Sequence, residues 1–145
     1  MKIATARSKT SRKWRTIDLT WEQFVDQLRT PMRTAETARE YKSMGKDERD
    51  RAKEAAGGFV GGAINGGQRK TEFIRDRWLI TLDADHAKPG AWETAQCMLD
   101  WAMACYSTHS HTAEKPRLRW ILPTDRAMTP DEYPAVARMV ASWLD

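Results

Sequence analysis

Along residues 73–84 apolar and polar positions alternate, until Trp78, Leu79, Ile80 and Leu82 give way to two acids one residue apart, Asp83 and Asp85. Successive side chains of a strand point to opposite faces. The run therefore predicts a strand with Ile80, Leu82 and Ala84 on one face and Thr81, Asp83 and Asp85 on the other. The period then becomes helical: Trp92, Ala95, Leu99 and Ala102 share one face of a helix predicted over 91–103. Two more strands are predicted at about 104–109 and 117–122. Thr129, Pro130, Asp131 and Glu132 then mark a helix start: a capping residue, proline at the first helical position, and an acid three residues after the cap. Tyr133, Val136, Val140 and Trp143 form its predicted buried face.

Upstream the pattern is less regular. KIATA, residues 2–6, reads as a strand, and Thr20 with Gln23 resembles a capping box ahead of the helically spaced Trp21, Phe24, Val25 and Leu28. Residues 35–56 form a highly charged helical stretch, broken at Gly45 and restarted around Lys46 and Asp47, with a face for solvent or a partner. Six of the eight glycines follow between Gly57 and Gly67, in GGFVGGAINGGQRK. The glycine spacing matches neither a phosphate-binding loop nor a dinucleotide fingerprint, so a hairpin or flexible connection is expected, with an Asn-Gly turn at Asn65. The chain is therefore predicted to be α+β and one compact unit. Residues 1–70 make a basic, mainly helical region with the glycine-rich connection. Residues 71–145 run strand-helix-strand-strand-helix, the order of a ferredoxin-like or RNA-recognition-like (RRM-like) sheet that lacks its last strand.

Composition narrows this picture. With 145 residues, 41% hydrophobic, 30% charged and seven Trp, the chain has material for one core and is not disordered throughout. Cys97 and Cys105 form no C-x-x-C pair, which argues against a disulfide framework or a thiolate zinc cluster and fits a reducing cytoplasm. No run of about 18 apolar residues is present to span a membrane. The net charge is +4, and its excess is local: six basic residues and no acid lie from Lys2 to Arg15. That start shares the basic, acid-free character of a transit peptide but not its amphipathic stripe. Arg12, Lys13 and Arg15, with Arg69 and Lys70 beyond the glycines, are candidate contacts to nucleic acid. A solvated surface is the alternative.

Alternation across all three strands predicts a constellation. If both helices cover the apolar face, the opposite face is open and carries Asp83, Asp85, Ser107, His109, Arg117 and Arg119. Two residues of strand advance about 6.6 Å, a spacing at which two carboxylates could share divalent ions roughly 4 Å apart. Mg2+ or Mn2+ takes oxygen ligands and leaves positions for substrate phosphates, to which the arginines and His109 offer donors. The alternative is that the two acids merely pair with Arg117 and Arg119 across the sheet. His86 and His111 read as solvated loop residues.

LDAD at 82–85 and STH at 107–109 resemble the first two motifs, D-x-D and S-x-H, of the archaeo-eukaryotic primase superfamily. The stretch from GGFVGG through STHSHTAEKPRLRWILP to TPDEY looks like the primase-polymerase domain at the N-terminus of phage and mobile-element replication proteins, including the virulence-associated E type. The resemblance covers roughly residues 57–145 and is loose before that. It implies DNA-dependent nucleotidyl transfer in a bacterial host's cytoplasm, on a DNA template with nucleoside triphosphates, and a helicase domain in a longer protein. Asp83 and Asp85 would hold the two catalytic Mg2+ or Mn2+ ions, and His109 would complete the catalytic set by contacting the incoming nucleotide beside Ser107. Arg117 and Arg119 join it as phosphate contacts on the sheet pattern. The third motif, an acid on the strand after the last helix, has no counterpart before Asp145. The 145 residues alone are accordingly expected to polymerise weakly or not at all, as a fragment or an incomplete site. Two rivals stand beside this reading. One is a non-catalytic nucleic-acid-binding module. The other is an HUH endonuclease that would use His109, His111 and Tyr133 but leave D-x-D unexplained.

Overall fold

A computed structural model describes residues 1–144; Asp145, before which the third acid has no counterpart, lies outside the described residues. The chain divides into two compact units, Met1–Arg75 and the part from Asp76 onward. In the first, β1 (Lys2–Ala6) is the centre of a three-stranded antiparallel sheet between β2 (Arg15–Asp18) and β3 (Gly58–Val60). The predicted KIATA strand is β1. The two partners went unread because four and three residues are too short to show a period, and β3 lies within the glycine run; it exists by pairing with β1. Ala4, Trp14 and Val60 form the small core of this sheet.

Three helices complete the unit: α1 (Trp21–Leu28), α2 (Ala38–Ser43) and α3 (Lys46–Ala55). The predicted capping box is present, with the Thr20 N–H donating to Gln23 Oε1 at 2.9 Å and the Gln23 N–H to Thr20 Oγ1 at 3.2 Å. Each bond satisfies a backbone donor that the first turn would otherwise orphan. Phe24 of α1 is buried and meets Phe59 edge-on at 5.1 Å. Gly45 separates α2 from α3, as expected, and α3 buries no residue.

The second unit runs β4 (Arg77–Ala84), α4 (Ala91–Met98), β5 (Ala104–Ser107), β6 (Leu118–Met128) and α5 (Tyr133–Leu144). The strands lie in the order β4-β6-β5, all antiparallel. The strand predicted from residue 73 begins at Arg77, because residues 71–73 form a 3-10 turn. The helix predicted to 103 stops at Met98, since Leu99 turns extended and starts the return to β5; Ala102 is exposed. β6 runs on to Met128, past Pro123 in the central strand. A register shift opposite Arg77 and Leu79 makes room for a residue that has no N–H to give. The Thr124 hydroxyl patches the irregularity, within hydrogen-bond distance of the Trp78 and Arg126 carbonyls at 3.1 and 2.7 Å.

The core gathers Ile80, Trp120, Leu122 and Met128 of the sheet, Ala95 of α4 and Val140 of α5. Full burial contributes about 1.5–3 kcal/mol for each of the larger aliphatic side chains among them. Trp143, predicted to join them, is 41% exposed and packs edge-on against Trp101 at 5.2 Å. Tyr133 ties α5 to the sheet differently: its hydroxyl lies 3.3 Å from both the N–H and the carbonyl of Thr81, on the outer edge of β4, with the Arg77 guanidinium over its ring at 4.5 Å. Among the described residues, no helix is long and apolar enough to cross a membrane.

The α5 entry is another reciprocal box: the Thr129 N–H donates to Glu132 Oε2 at 2.7 Å and the Glu132 N–H to Thr129 Oγ1 at 3.2 Å. The hydrogen bond from the Arg126 guanidinium, followed by that from the Thr129 N–H, holds the Glu132 carboxyl down at about 2. A carboxyl depressed in the folded state stabilises it fully above the ordinary 4.5, and the benefit is lost as pH falls towards 2. The thermal midpoint should therefore drop over that window, less steeply in Glu132→Gln. Thr129→Ala should cost about 1 kcal/mol in urea unfolding at neutral pH.

Candidate functional site

Directly paired residues of antiparallel strands project to the same face, so register decides which side chains meet. Asp83 pairs with Arg119, and Arg119 pairs with Tyr106. These three share the face turned away from the Ile80–Trp120 core. Arg119 Nε lies 2.6 Å from Asp83 Oδ1 and its Nη1 donates to the Tyr106 hydroxyl at 3.2 Å. Just past the strand ends, Arg117 Nη1 meets Asp85 Oδ1 at 3.1 Å, Asp85 being the first residue of the turn after β4. Partial burial opposes the charge on Arg119, but the Asp83 and Tyr106 contacts outweigh it and raise the guanidinium above its ordinary value.

Two expectations about this face need correction. Ser107 was predicted beside the acids, yet it pairs with Leu118, which packs against the core, so it belongs to the helix-covered side. Cys105 shares that side opposite Trp120, and burial pushes its thiol up to about 11. The residue of β5 that faces Asp83 is Tyr106. Nor is the face open throughout: Leu79 and Ile121 lie on it and are both fully buried. Only its far end is accessible, where the Asp83 and Asp85 side chains are 55% and 59% exposed.

His109 lies beyond β5 in an exposed turn at residues 109–110, so strand alternation does not assign it a face. His111 Nδ1 accepts the Arg117 N–H at 3.2 Å, while the Thr108 N–H donates to the Arg117 carbonyl at 3.0 Å. This imidazole thus folds the loop that delivers Arg117, a role sequence spacing did not reveal. His86 is exposed in the turn after Asp85. The endonuclease reading fits this geometry poorly: Tyr133 is held on the Thr81 backbone and His111 on Arg117. Arg12, Lys13, Arg15, Arg69 and Lys70 all belong to the first unit and are exposed.

An antiparallel sheet with helices on one side and two carboxylate–arginine pairs at the exposed end of the other defines an α+β domain with a charged sheet face, an architecture that by itself fixes no activity. The sequence profile of the VapE N-terminal domain matches residues 1–145. The chain belongs to that family, the N-terminal part of VapE-type proteins of phages and mobile elements, which ties it to replication-related proteins of such elements. The match includes the first unit, which the motif resemblance reached only loosely. No curated protein and no solved structure matches the chain significantly.

Half-exposed ion pairs of this kind contribute up to about 1 kcal/mol each. Asp83→Asn and Arg119→Gln should therefore remain folded, with urea midpoints close to that of the unaltered protein. A loss of several kcal/mol in either would make the pairs mainly structural.

Proposed function

We propose that this domain is the primase-polymerase module of a VapE-type protein, transferring nucleotides to a growing strand on a DNA template. The observation that carries the reading is the cross-strand set Asp83–Arg119–Tyr106 beside Asp85–Arg117, at the exposed end of one sheet face. It combines with the D-x-D and S-x-H motifs and with family membership. The fit to Mg2+ or Mn2+ rests on the donors: two exposed carboxylates suit hard cations that also take water and substrate phosphates. Among the described residues, no group of three or more His, Cys, Asp or Glu converges that could hold a metal ion. The substrate phosphates would therefore belong to the shell. When bound, such ions stabilise charge on the attacking and leaving oxygens.

The chain's own residues divide the remaining work. Asp83 and Asp85 act as metal ligands. Arg117 and Arg119, each paired with one of those acids, transfer their N–H donors to the triphosphate, which a guanidinium binds in bidentate fashion. His109 adds a phosphate contact from the turn after β5. Tyr106 keeps the Arg119 guanidinium on the sheet surface during the exchange. Ser107, on the other side of the sheet, serves this reading only by starting the turn that carries His109.

The ion pairs also favour a second reading, in which the acids only staple neighbouring strands and the domain binds nucleic acid without catalysis. In a VapE-type protein that carries this domain, Asp83→Ala or Asp85→Ala should abolish Mn2+-dependent nucleotide incorporation and leave DNA binding largely intact. Unchanged incorporation by Asp83→Ala would sink the catalytic reading. Arg119→Gln separates the two by binding alone. Freed from its partner, Asp83 should bind Mn2+ roughly fivefold more tightly, about the worth of the lost pair, with weaker triphosphate binding. The stapling reading expects neither change by calorimetry.

A further inference from the structure

We infer that the first unit carries a grip for single-stranded nucleic acid, built by joining two loops that are far apart in sequence. The first is the β1–β2 hairpin, which contributes Arg12, Lys13 and the following Arg15. The second is the loop after the glycine run, which contributes Arg69 and Lys70. The Trp14 N–H donates to the Gly67 carbonyl at 3.1 Å, and the Trp14 ring is buried in the small core beneath. The approach is close enough to require glycine: Gly67 has φ +70°, and a Cβ there would lie 2.9 Å from the Arg12 carbonyl oxygen. Gly67 therefore fuses two modest basic segments into one surface of five exposed cations.

Acids near this surface leave most of it uncommitted. Glu54 meets Lys9 at 3.2 Å, and Glu72 meets Lys70 at 3.8 Å with both side chains more than half exposed. Arg12, Lys13, Arg15 and Arg69 face solvent. The chemistry that matches four or five exposed cations on two joined loops is a chain of phosphodiesters, attracted by charge and indifferent to sequence. Phe73 favours a single strand over a duplex. Its half-buried ring lies under Lys70 at 5.7 Å, and a Cβ at Gly66 would come within 3.6 Å of it, so glycine leaves that part of the ring uncovered for the face of a base. The grip needs neither nucleotide nor metal, so it stands or falls separately from nucleotidyl transfer.

The test uses the whole chain, a fluorescein-labelled single-stranded 20-mer of mixed sequence, and a salt titration in EDTA. Arg12→Glu with Lys13→Glu should weaken binding at least about tenfold at low salt and flatten the log–log salt slope by roughly 1.4, for two lost phosphate contacts. Lys42→Glu with Lys46→Glu changes net charge equally on exposed helical positions outside these loops and should reduce the slope far less. Gly67→Ala alters no charge yet should weaken binding several-fold by parting the loops. If that variant fails to fold, the charge pairs still decide. Binding unaffected by Arg12→Glu with Lys13→Glu, or equal losses in both double variants, overturns the grip. Tighter binding to the matching duplex overturns the single-strand assignment.

Discussion

The cross-strand register of β6 against its two neighbours is the constraint on which the charged face depends. With Arg119 opposite both Asp83 and Tyr106, one guanidinium is held from two sides. Leu118 and Trp120 are thereby directed into the helix-covered core. A slip of one residue would reverse this, burying arginine and exposing tryptophan. The hydrophobic core and the polar face are thus set by a single choice of pairing. The irregularity at Pro123 matters for the same reason: it absorbs the residues that would otherwise shift that register, and does so at the end of the sheet remote from the acids.

Much of this architecture was legible in the sequence because it is local. The capping boxes at Thr20 and Thr129, the break at Gly45 and the sorting of Ile80, Leu82 and Ala84 from Asp83 each depend on residues within a few positions. The failures share the opposite character. Alternation tells which residues of β5 share a face with one another, but not which of its two faces joins the Asp83 side of β4. Ser107 was therefore placed where Tyr106 stands. Likewise Trp143 satisfies the helical period of α5 but falls where that period reaches the rim of the sheet. His111 was unreadable for another reason, since an imidazole accepting from a backbone N–H six residues away leaves no periodic trace.

The charged face and the basic loops rest on different kinds of order. Arg119 is fixed by strand pairing and by partners of opposite charge or complementary hydrogen bonding. The loop cations owe their grouping to a backbone contact at a glycine and to a buried tryptophan, while most of their own side chains face solvent. Fixed donors suit a ligand with a defined shape, such as a triphosphate; free ones suit a polymer whose phosphates arrive in no set position.

The single hydroxyl of Tyr133 on the outer edge of β4 has a consequence for how this domain behaves among other molecules. An exposed strand edge is a template, open to any extended segment that can complete its ladder. Here a helix side chain fills the donor and acceptor of Thr81 together, in the manner of a neighbouring strand one residue long. Any strand that sought to add at that edge would first have to turn the phenol out from beneath Arg77 and loosen the start of α5. Growth of the sheet at Thr81 is thereby coupled to movement of a helix.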